Sequence, residues 1–328
     1  MKCINKMRLL CLCGIAAVFM SGCGQTVVSY DNPYDIYSTS ADYGLASEGA
    51  GSEKTYFSQN LCVADDVNIG NDTTDSQVAE GAGTFNLATN TVTYAQNIYE
   101  KLYPASTTKI LTAYIALKYG NLEDYVTVSE NAADQASDSS VCGLKAGDVV
   151  QLKDLLYGMM LKSGNDAAIA IAEHIGGSVE GFADMMNQEA LAMGASRSHF
   201  VNPNGLHNND HYTTAYDLYL IFKEAVKHEE FVDTVSSKDY TMTYTTAKKT
   251  QINEYMQSTN YYLLNEFPVP EGVVMYGGKT GTTSMAKSCL ILMTKNKKGE
   301  RFFSVVLGAE TKEALYSSMT RLLEKTTN

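Results

Sequence analysis

The chain of 328 residues keeps strand-like segments at its two ends and helical ones between, and that order constrains its fold more than any other feature. The folded part begins near Tyr56, and Gly83-Thr84-Phe85-Asn86-Leu87 and Thr91-Val92-Thr93-Tyr94, joined by Ala88-Thr89-Asn90, read as a β-hairpin. At the far end Tyr276 to Thr283, Ser288 to Thr294 and Arg301 to Leu307 are strand-like, with Asn296-Lys297-Lys298-Gly299 turning between the last two. Thr311 to Glu324 then closes the chain as a helix. In the middle, from Ser129 to about His228, Leu152 to Leu161, Asp166 to Ile175, Val179 to Met193 and Thr214 to Val226 carry apolar residues at helical spacing. The pattern predicts an α+β (mixed α/β) fold: one antiparallel sheet assembled from the chain ends and flanked by helices, with a helical subdomain inserted.

With 45% hydrophobic residues, a chain of this length can bury a sizeable core as one large domain or two small ones. The formal net charge is −12; Lys2, Lys6 and Arg8 are the only charges in the first 22 residues, so the rest of the chain carries −15. Such a chain repels nucleic acid.

Those first residues read as an export signal, with a basic start, an apolar run from Leu9 to Met20 too short for a stable membrane span, and the small pair Ser21-Gly22 before Cys23. Met20-Ser21-Gly22-Cys23 resembles the bacterial lipobox, in which the cysteine is lipidated and becomes the mature N-terminus. Ordinary cleavage and secretion past an incidental cysteine is the alternative. From Gly24 to about Lys54 the sequence is rich in Ser, Gly, Asp, Tyr and Thr without an apolar period, as expected of a flexible tether. The expected organisation is a lipoprotein signal peptide over 1–22, a tether over 23–55 and one catalytic domain over 56–328. Of seven cysteines, Cys3, Cys11 and Cys13 leave with the signal and Cys23 is blocked; Cys62, Cys142 and Cys289 are too dispersed for a disulfide framework or a zinc site and suit small buried side chains.

Three short motifs carry chemistry. Ser106-Thr107-Thr108-Lys109 follows Pro104 and opens a run with apolar Ile110, Leu111, Tyr114, Ile115 and Leu117, so serine and lysine share one face at the start of a buried helix. A lysine buried beside another cation can be neutral and take the serine proton, and amides at a helix start can hold an oxyanion. Ser284-Met285-Ala286-Lys287 has the same spacing but follows a strand, where positions three apart face opposite ways. A Ser-x-Asn element occurs four times. Ser58-Gln59-Asn60 lies too near the tether, Ser129-Glu130-Asn131 looks like a helix cap, and Ser258-Thr259-Asn260 lies close to the terminal strands. Ser163-Gly164-Asn165, between two helices, is placed to aim both side chains into a cleft. Lys279-Thr280-Gly281 lies on a predicted strand whose glycines let a substrate backbone come close, and its ammonium and hydroxyl suit a carboxylate.

In this order and setting the three motifs resemble the penicillin-recognising serine enzymes, and within them the D-alanyl-D-alanine carboxypeptidases, the low-molecular-mass penicillin-binding proteins. The likeness runs from about Ala82 to the C-terminal helix and takes in Tyr103-Pro104-Ala105-Ser106-Thr107-Thr108-Lys109, Leu161-Lys162-Ser163-Gly164-Asn165-Asp166-Ala167-Ala168, Asn202-Pro203-Asn204-Gly205-Leu206-His207 and Gly278-Lys279-Thr280-Gly281. It implies a β-lactamase/transpeptidase-like fold and an acyl-enzyme on Ser106, with Lys109 as base. Ser163 would protonate the leaving amine and Asn165 would position Lys109 and the substrate. Lys279 and Thr280, beside Gly281, would hold the carboxylate, and the amides of Ser106 and Thr282 would form the oxyanion hole. The partners implied are peptidoglycan stem peptides as substrate, β-lactams as covalent inhibitors, and the outer face of the bacterial cell membrane through a lipid on Cys23. Neither a cofactor nor a metal is implied.

The chain departs from the family in two ways. Many relatives continue into a β-rich second domain and an amphipathic anchor, whereas this chain ends just beyond Glu324, where the lipid on Cys23 would replace the anchor. After Val305-Val306-Leu307-Gly308-Ala309, relatives often carry an arginine that helps bind the carboxylate; here Lys312, Glu313, Ala314 and Leu315 follow. Among rival readings, a class A β-lactamase needs a Glu-x-x-Leu-Asn element and a Ser-Asp-Asn second motif, and neither is found. A metallopeptidase needs a ligand set that His174, His199, His207, His211, His228 and Asp217 do not form. A non-catalytic penicillin-binding sensor and an endopeptidase acting on cross-links both share the motifs.

Overall fold

In the computed structural model, which describes residues 60–70 and 79–327, the chain runs β1 (Gly81–Asn86), β2 (Thr91–Gln96), a 3-10 turn (Ala105–Thr108), α1 (Lys109–Tyr119), β3 (Tyr125–Thr127), α2 (Glu130–Ala133), β4 (Val149–Gln151), α3 (Leu152–Leu161), α4 (Asn165–Gly176), α5 (Val179–Ala192), α6 (Ala215–Ala225), α7 (Glu229–Ser236), β5 (Asp239–Thr245), β6 (Gln251–Gln257), β7 (Val273–Thr283), β8 (Lys287–Asn296), β9 (Arg301–Ala309) and α8 (Lys312–Glu324). The expected signal peptide and tether, with Cys23, lie outside the described residues, as do Ser58 and Gln59.

The chain ends do meet in one antiparallel sheet, ordered β2-β1-β9-β8-β7. The N-terminal hairpin joins the C-terminal strands where Phe85 faces Phe303 and Ala82 faces Val306. Strands β8 and β9 are buried at nearly every position because both of their faces are covered, and their central stretches, Cys289 to Met293 and Val305 to Leu307, are continuously apolar. Leu290, Leu292 and Val306 point to the side where α8 packs, against Leu315, Tyr316, Met319, Leu322 and Leu323. Ile291, Met293, Phe303, Val305 and Leu307 point the other way, into the larger core shared with the helices.

Helix α1 lies at the centre of that core. Every side chain from Lys109 to Ala116 is buried, and α3, α4, α5, α6 and α7 all pack around it. A helix surrounded in this way shows no polar stripe, and Ile110, Leu111, Ala113, Ile115 and Ala116 present small or apolar surfaces in all directions. The surrounding helices begin where serine or threonine satisfies their first amides: Ser178 Oγ accepts from Gly181 N at 3.0 Å, and Thr214 Oγ1 from Asp217 N at 2.9 Å.

Two expectations need correction. The helix does not start at its serine: Ser106 sits in the 3-10 turn, where Thr107 N donates to Pro104 O, and regular α-helix begins at Lys109. There is also a second antiparallel sheet, β3-β4-β5-β6, beside the inserted helices. Its strands were not read from the sequence because β3 and β4 are 3 residues each, while β5 and β6 are half-exposed and largely polar. The three cysteines among the described residues, Cys62, Cys142 and Cys289, are free and buried.

The two-sided burial of β8 makes Leu292 a sensitive position. Leu292→Ala should lower the unfolding free energy by about 2–5 kcal/mol, read as a lower urea midpoint at constant m-value. Thr311→Ala, which removes one cap of α8, should cost only about 1 kcal/mol. Equal midpoints for Leu292→Ala and the parent would contradict the packing described.

Candidate active site

Three backbone segments converge on one point. The edge strand β7 runs against the 3-10 turn, and the turn between α3 and α4 closes the third side. The approach is close: a Cβ at Gly281 would lie 2.8 Å from Ser106 N and 3.0 Å from Thr107 N, so only glycine lets β7 lie over the Ser106 amide. Two non-glycine residues at the junction occupy the left-handed region, Ala105 with φ 48° just before Ser106 and Ser163 with φ 62°. Backbone of this kind is held in place by its surroundings and tends to mark working sites. In the Ser163-Gly164-Asn165 element the unusual conformation thus falls on the serine, while Gly164 has φ −59°.

Lys109 is fully buried, and its Nζ has three partners: Ser106 Oγ at 3.0 Å, Asn165 Oδ1 at 2.8 Å and the Asn204 carbonyl at 2.7 Å. Burial, and then the nearby Lys279 charge, push its pKa well below the ordinary lysine value. A neutral amine has two N–H bonds and one lone pair. The two carbonyl oxygens accept the N–H bonds, so the lone pair is left for the Ser106 hydroxyl.

Lys279, 1% exposed, donates to Ser163 Oγ and to Thr280 O, both at 2.9 Å. Burial lowers its pKa to about 7. Burial pushes both amines down, and the neighbouring Lys279 charge lowers Lys109 further, which favours Lys109 as the neutral member of the pair. The Ser106–Lys109 pair and the Ser163–Lys279 pair face one cleft of about 210 Å³, onto which Ser106, Ser163, Thr280, Gly281 and Thr282 open.

Asn165 stands behind that cleft on Lys109, so all eight motif residues of the expected site lie together; the ninth, Cys23, is outside the described residues. Ser284 and Lys287 do not join them. Ser284 lies in the turn after β7, and Lys287 pairs with Glu80 at 2.8 Å and with Glu310. Ser129 caps α2 by accepting from Ala132 N. Among the described residues no group of three or more His, Cys, Asp or Glu side chains is placed to share a metal ion.

The cleft has further walls that the sequence reading missed. Thr259, set aside with its Ser-x-Asn triplet, has its hydroxyl 2.5 Å from that of Thr280. Tyr261, Tyr316 and Lys312 complete this side, with Lys312 Nζ 3.3 Å from the Tyr261 hydroxyl and 5.3 Å from its ring centre. Tyr261 and Tyr316 are stacked, centroids 5.2 Å apart. Opposite them Ser140 reaches the cleft on a loop held by buried Asp166, whose carboxylate accepts from the amides of Cys142, Gly143 and Leu144. Asp166 directly follows Asn165, and an acid in the first turn of a helix was the one signal that could have drawn attention to it.

Comparison with known proteins agrees with this geometry. The model of the D-alanyl-D-alanine carboxypeptidase peptidase family matches residues 71–311. The chain is 37% identical over 242 residues to the D-alanyl-D-alanine carboxypeptidase DacF of Bacillus subtilis, covering 72% of this chain and 59% of that protein. It is 35% identical to DacC of Escherichia coli, covering 69% and 56%. The chain thus spans little more than half the length of these relatives. The crystal structure of the Streptomyces K15 DD-transpeptidase superposes with a TM-score of 0.71 at 30% identity, covering 77% of this chain and 98% of that one. With its motifs joined in one cleft and more than half of its length matched by the family model, the chain belongs to the D-alanyl-D-alanine carboxypeptidase family.

Proposed function

We propose that this protein is a serine D-alanyl-D-alanine carboxypeptidase acting on peptidoglycan stem peptides. The observation that carries the reading is the arrangement of Lys109, buried, depressed in pKa and bound so that its lone pair meets Ser106. In the proposed reaction Ser106 Oγ gives its proton to Lys109 Nζ and attacks the carbonyl carbon between the two D-alanines. The amides of Ser106 and Thr282 stabilise the resulting oxyanion. As the C–N bond breaks, Ser163 Oγ–H protonates the departing amine, in keeping with its hydrogen bond from Lys279. Lys109 passes the proton it took from Ser106 on to Ser163, which restores both groups. Water then attacks the ester as Lys109 takes the water's proton, and Lys109 returns that proton to Ser106 Oγ as the ester C–O bond breaks and the shortened peptide leaves as its acid. A β-lactam presents a strained amide and a carboxylate in the same relation, so it acylates Ser106 too.

The substrate carboxylate is held at the Thr280 and Thr282 end of the cleft. Lys279 is enclosed beneath this end, and Lys312 is the exposed ammonium that lines it. Lys312 therefore supplies a second cation there, reaching in from the start of α8. For location, the Met20-Ser21-Gly22-Cys23 sequence supports export and a lipid on Cys23, leaving the domain on the outer face of the cell membrane.

Incubated with a peptide ending in D-Ala-D-Ala, the protein should release free D-alanine, and Ser106→Ala should abolish both release and labelling by a fluorescent penicillin. Equal release from the variant would remove Ser106 from the mechanism. The same assay with an added amine separates hydrolysis from transfer to the amine, and cross-linked wall fragments separate an endopeptidase; dominance of either product over free D-alanine would overturn the carboxypeptidase reading.

Lys109 must be neutral to accept a proton, so kcat/KM should rise with pH through its depressed pKa. Lys279 must be protonated, so kcat/KM should fall as pH passes about 7. A rate still level at pH 9 would refute that role for Lys279. Lys312→Ala should keep this bell shape and raise KM about fivefold, as expected for an exposed ion pair contributing about 1 kcal/mol; an unchanged KM would place the carboxylate elsewhere. Cys23→Ser should move the protein from the membrane fraction to the soluble one, and an unaltered distribution would exclude the lipid.

A further inference from the structure

His211 lies outside the three motifs and is 1% exposed. Its two ring nitrogens join segments that are far apart in sequence. Nδ1 accepts from Val201 N at 3.1 Å, and Nε2 lies 2.8 Å from Thr108 Oγ1. Because Val201 N–H donates to Nδ1, that nitrogen carries no hydrogen; the ring proton is on Nε2 and donates to Thr108. Burial, reinforced by His199, Lys109 and His207, pushes the His211 pKa down to about 3, so the ring stays in this form. A second proton would set an Nδ1–H against Val201 N–H.

Both ends of this bridge bear on the base. Thr108 immediately precedes Lys109 at the end of the 3-10 turn. Val201 opens the loop 201–206, whose Asn204 carbonyl takes an N–H of Lys109. The loop is pressed on the turn: Gly205 has φ +83°, and a Cβ there would lie 1.8 Å from Ala105 O. Two residues before Gly205, Pro203 O accepts from Thr112 Oγ1 at 2.6 Å. The bonds Thr108–His211–Val201 and Lys109–Asn204 thus close a ring around Lys109, and His211 is the side chain that completes it.

We propose that His211 is a positioning residue for acylation: it clamps the loop 201–206 to the 3-10 turn and holds the Asn204 carbonyl where it fixes the lone pair of Lys109 on Ser106. The proposal rests on the acyl-enzyme reading above. Without the clamp the loop lifts, Lys109 can rotate away from Ser106, and water reaches a group whose low pKa comes mainly from burial.

The test measures stopped-flow acylation by a fluorescent penicillin and peptide kcat against pH, for the parent, His211→Ala and His211→Gln, with melting temperature as a control. His211→Ala should slow acylation up to about 100-fold, lower kcat more than it raises KM, and move the acid limb to higher pH. His211→Gln, whose amide also offers one acceptor and one donor, should recover much of the rate and return the limb toward the parent. The proposal is overturned if His211→Ala keeps the parent's rate and pH profile. It is equally overturned if the loss only tracks the fraction of protein unfolded while the surviving sites react normally. A parent that takes up no label overturns the acyl-enzyme reading itself, a result distinct from a normal parent beside a normal variant.

Discussion

A lysine with no exposed surface is the interaction on which the rest of this structure depends. Leaving water is costly for an ammonium and far less so for an amine, so the fold is compatible with Lys109 chiefly in the form that can act as a base. The cost is offset by three hydrogen bonds, and each partner is set by a different part of the chain. Ser106 comes with the 3-10 turn, Asn165 with the start of α4, and the Asn204 carbonyl with the loop before α6. A site that needs three segments registered to within a hydrogen bond needs a rigid frame. Helix α1, enclosed by five other helices and apolar on all sides, provides it.

The sheet supplies the other half of the register. Because β8 and β9 are buried on both faces, β7 is held at a fixed height over the 3-10 turn, and Gly281 can approach Ser106 without a side chain between them. The two buried lysines then divide the work according to their surroundings. Lys109 is pushed well down by burial and then by the Lys279 charge, while burial brings Lys279 to about 7. Like charges sharing one buried region separate their titrations, so one amine can be neutral and free to accept a proton while the other remains a cation.

The sequence exposed the parts of this arrangement that are local. Apolar runs identified β8, β9 and α1, and the Ser-x-x-Lys, Ser-x-Asn and Lys-Thr-Gly elements pointed to the residues that line or back the cleft. Ser284-Met285-Ala286-Lys287 was set aside for following a strand, and its lysine in fact serves Glu80 and Glu310. What stayed hidden is non-local. Thr259 was passed over because nothing in its triplet says that it will meet Thr280, 21 positions later. Asp166, Ser140 and His211 act through backbone amides or through residues up to 103 positions away, and such pairings leave no period or spacing to read. The second sheet was missed for another reason, since short, polar, half-exposed strands have no hydrophobic alternation strong enough to stand out.

The residues that follow β9 show how a change of sequence is absorbed by packing. Glu310, directly after the strand, pairs with Lys287, which also binds Glu80, so it offers no cation to the cleft. Lys312 supplies one from the first turn of α8, where Thr311 caps the helix and Tyr316, one turn on, stacks on Tyr261 beneath the ammonium. The location of this charge is therefore fixed by the seating of α8 on Leu290, Leu292 and Val306 and not by the strand itself. Packing on the outer face of the sheet thereby reaches the Lys312 end of the cleft, and a loosened α8 would displace that ammonium while leaving Lys109 and Ser106 in place.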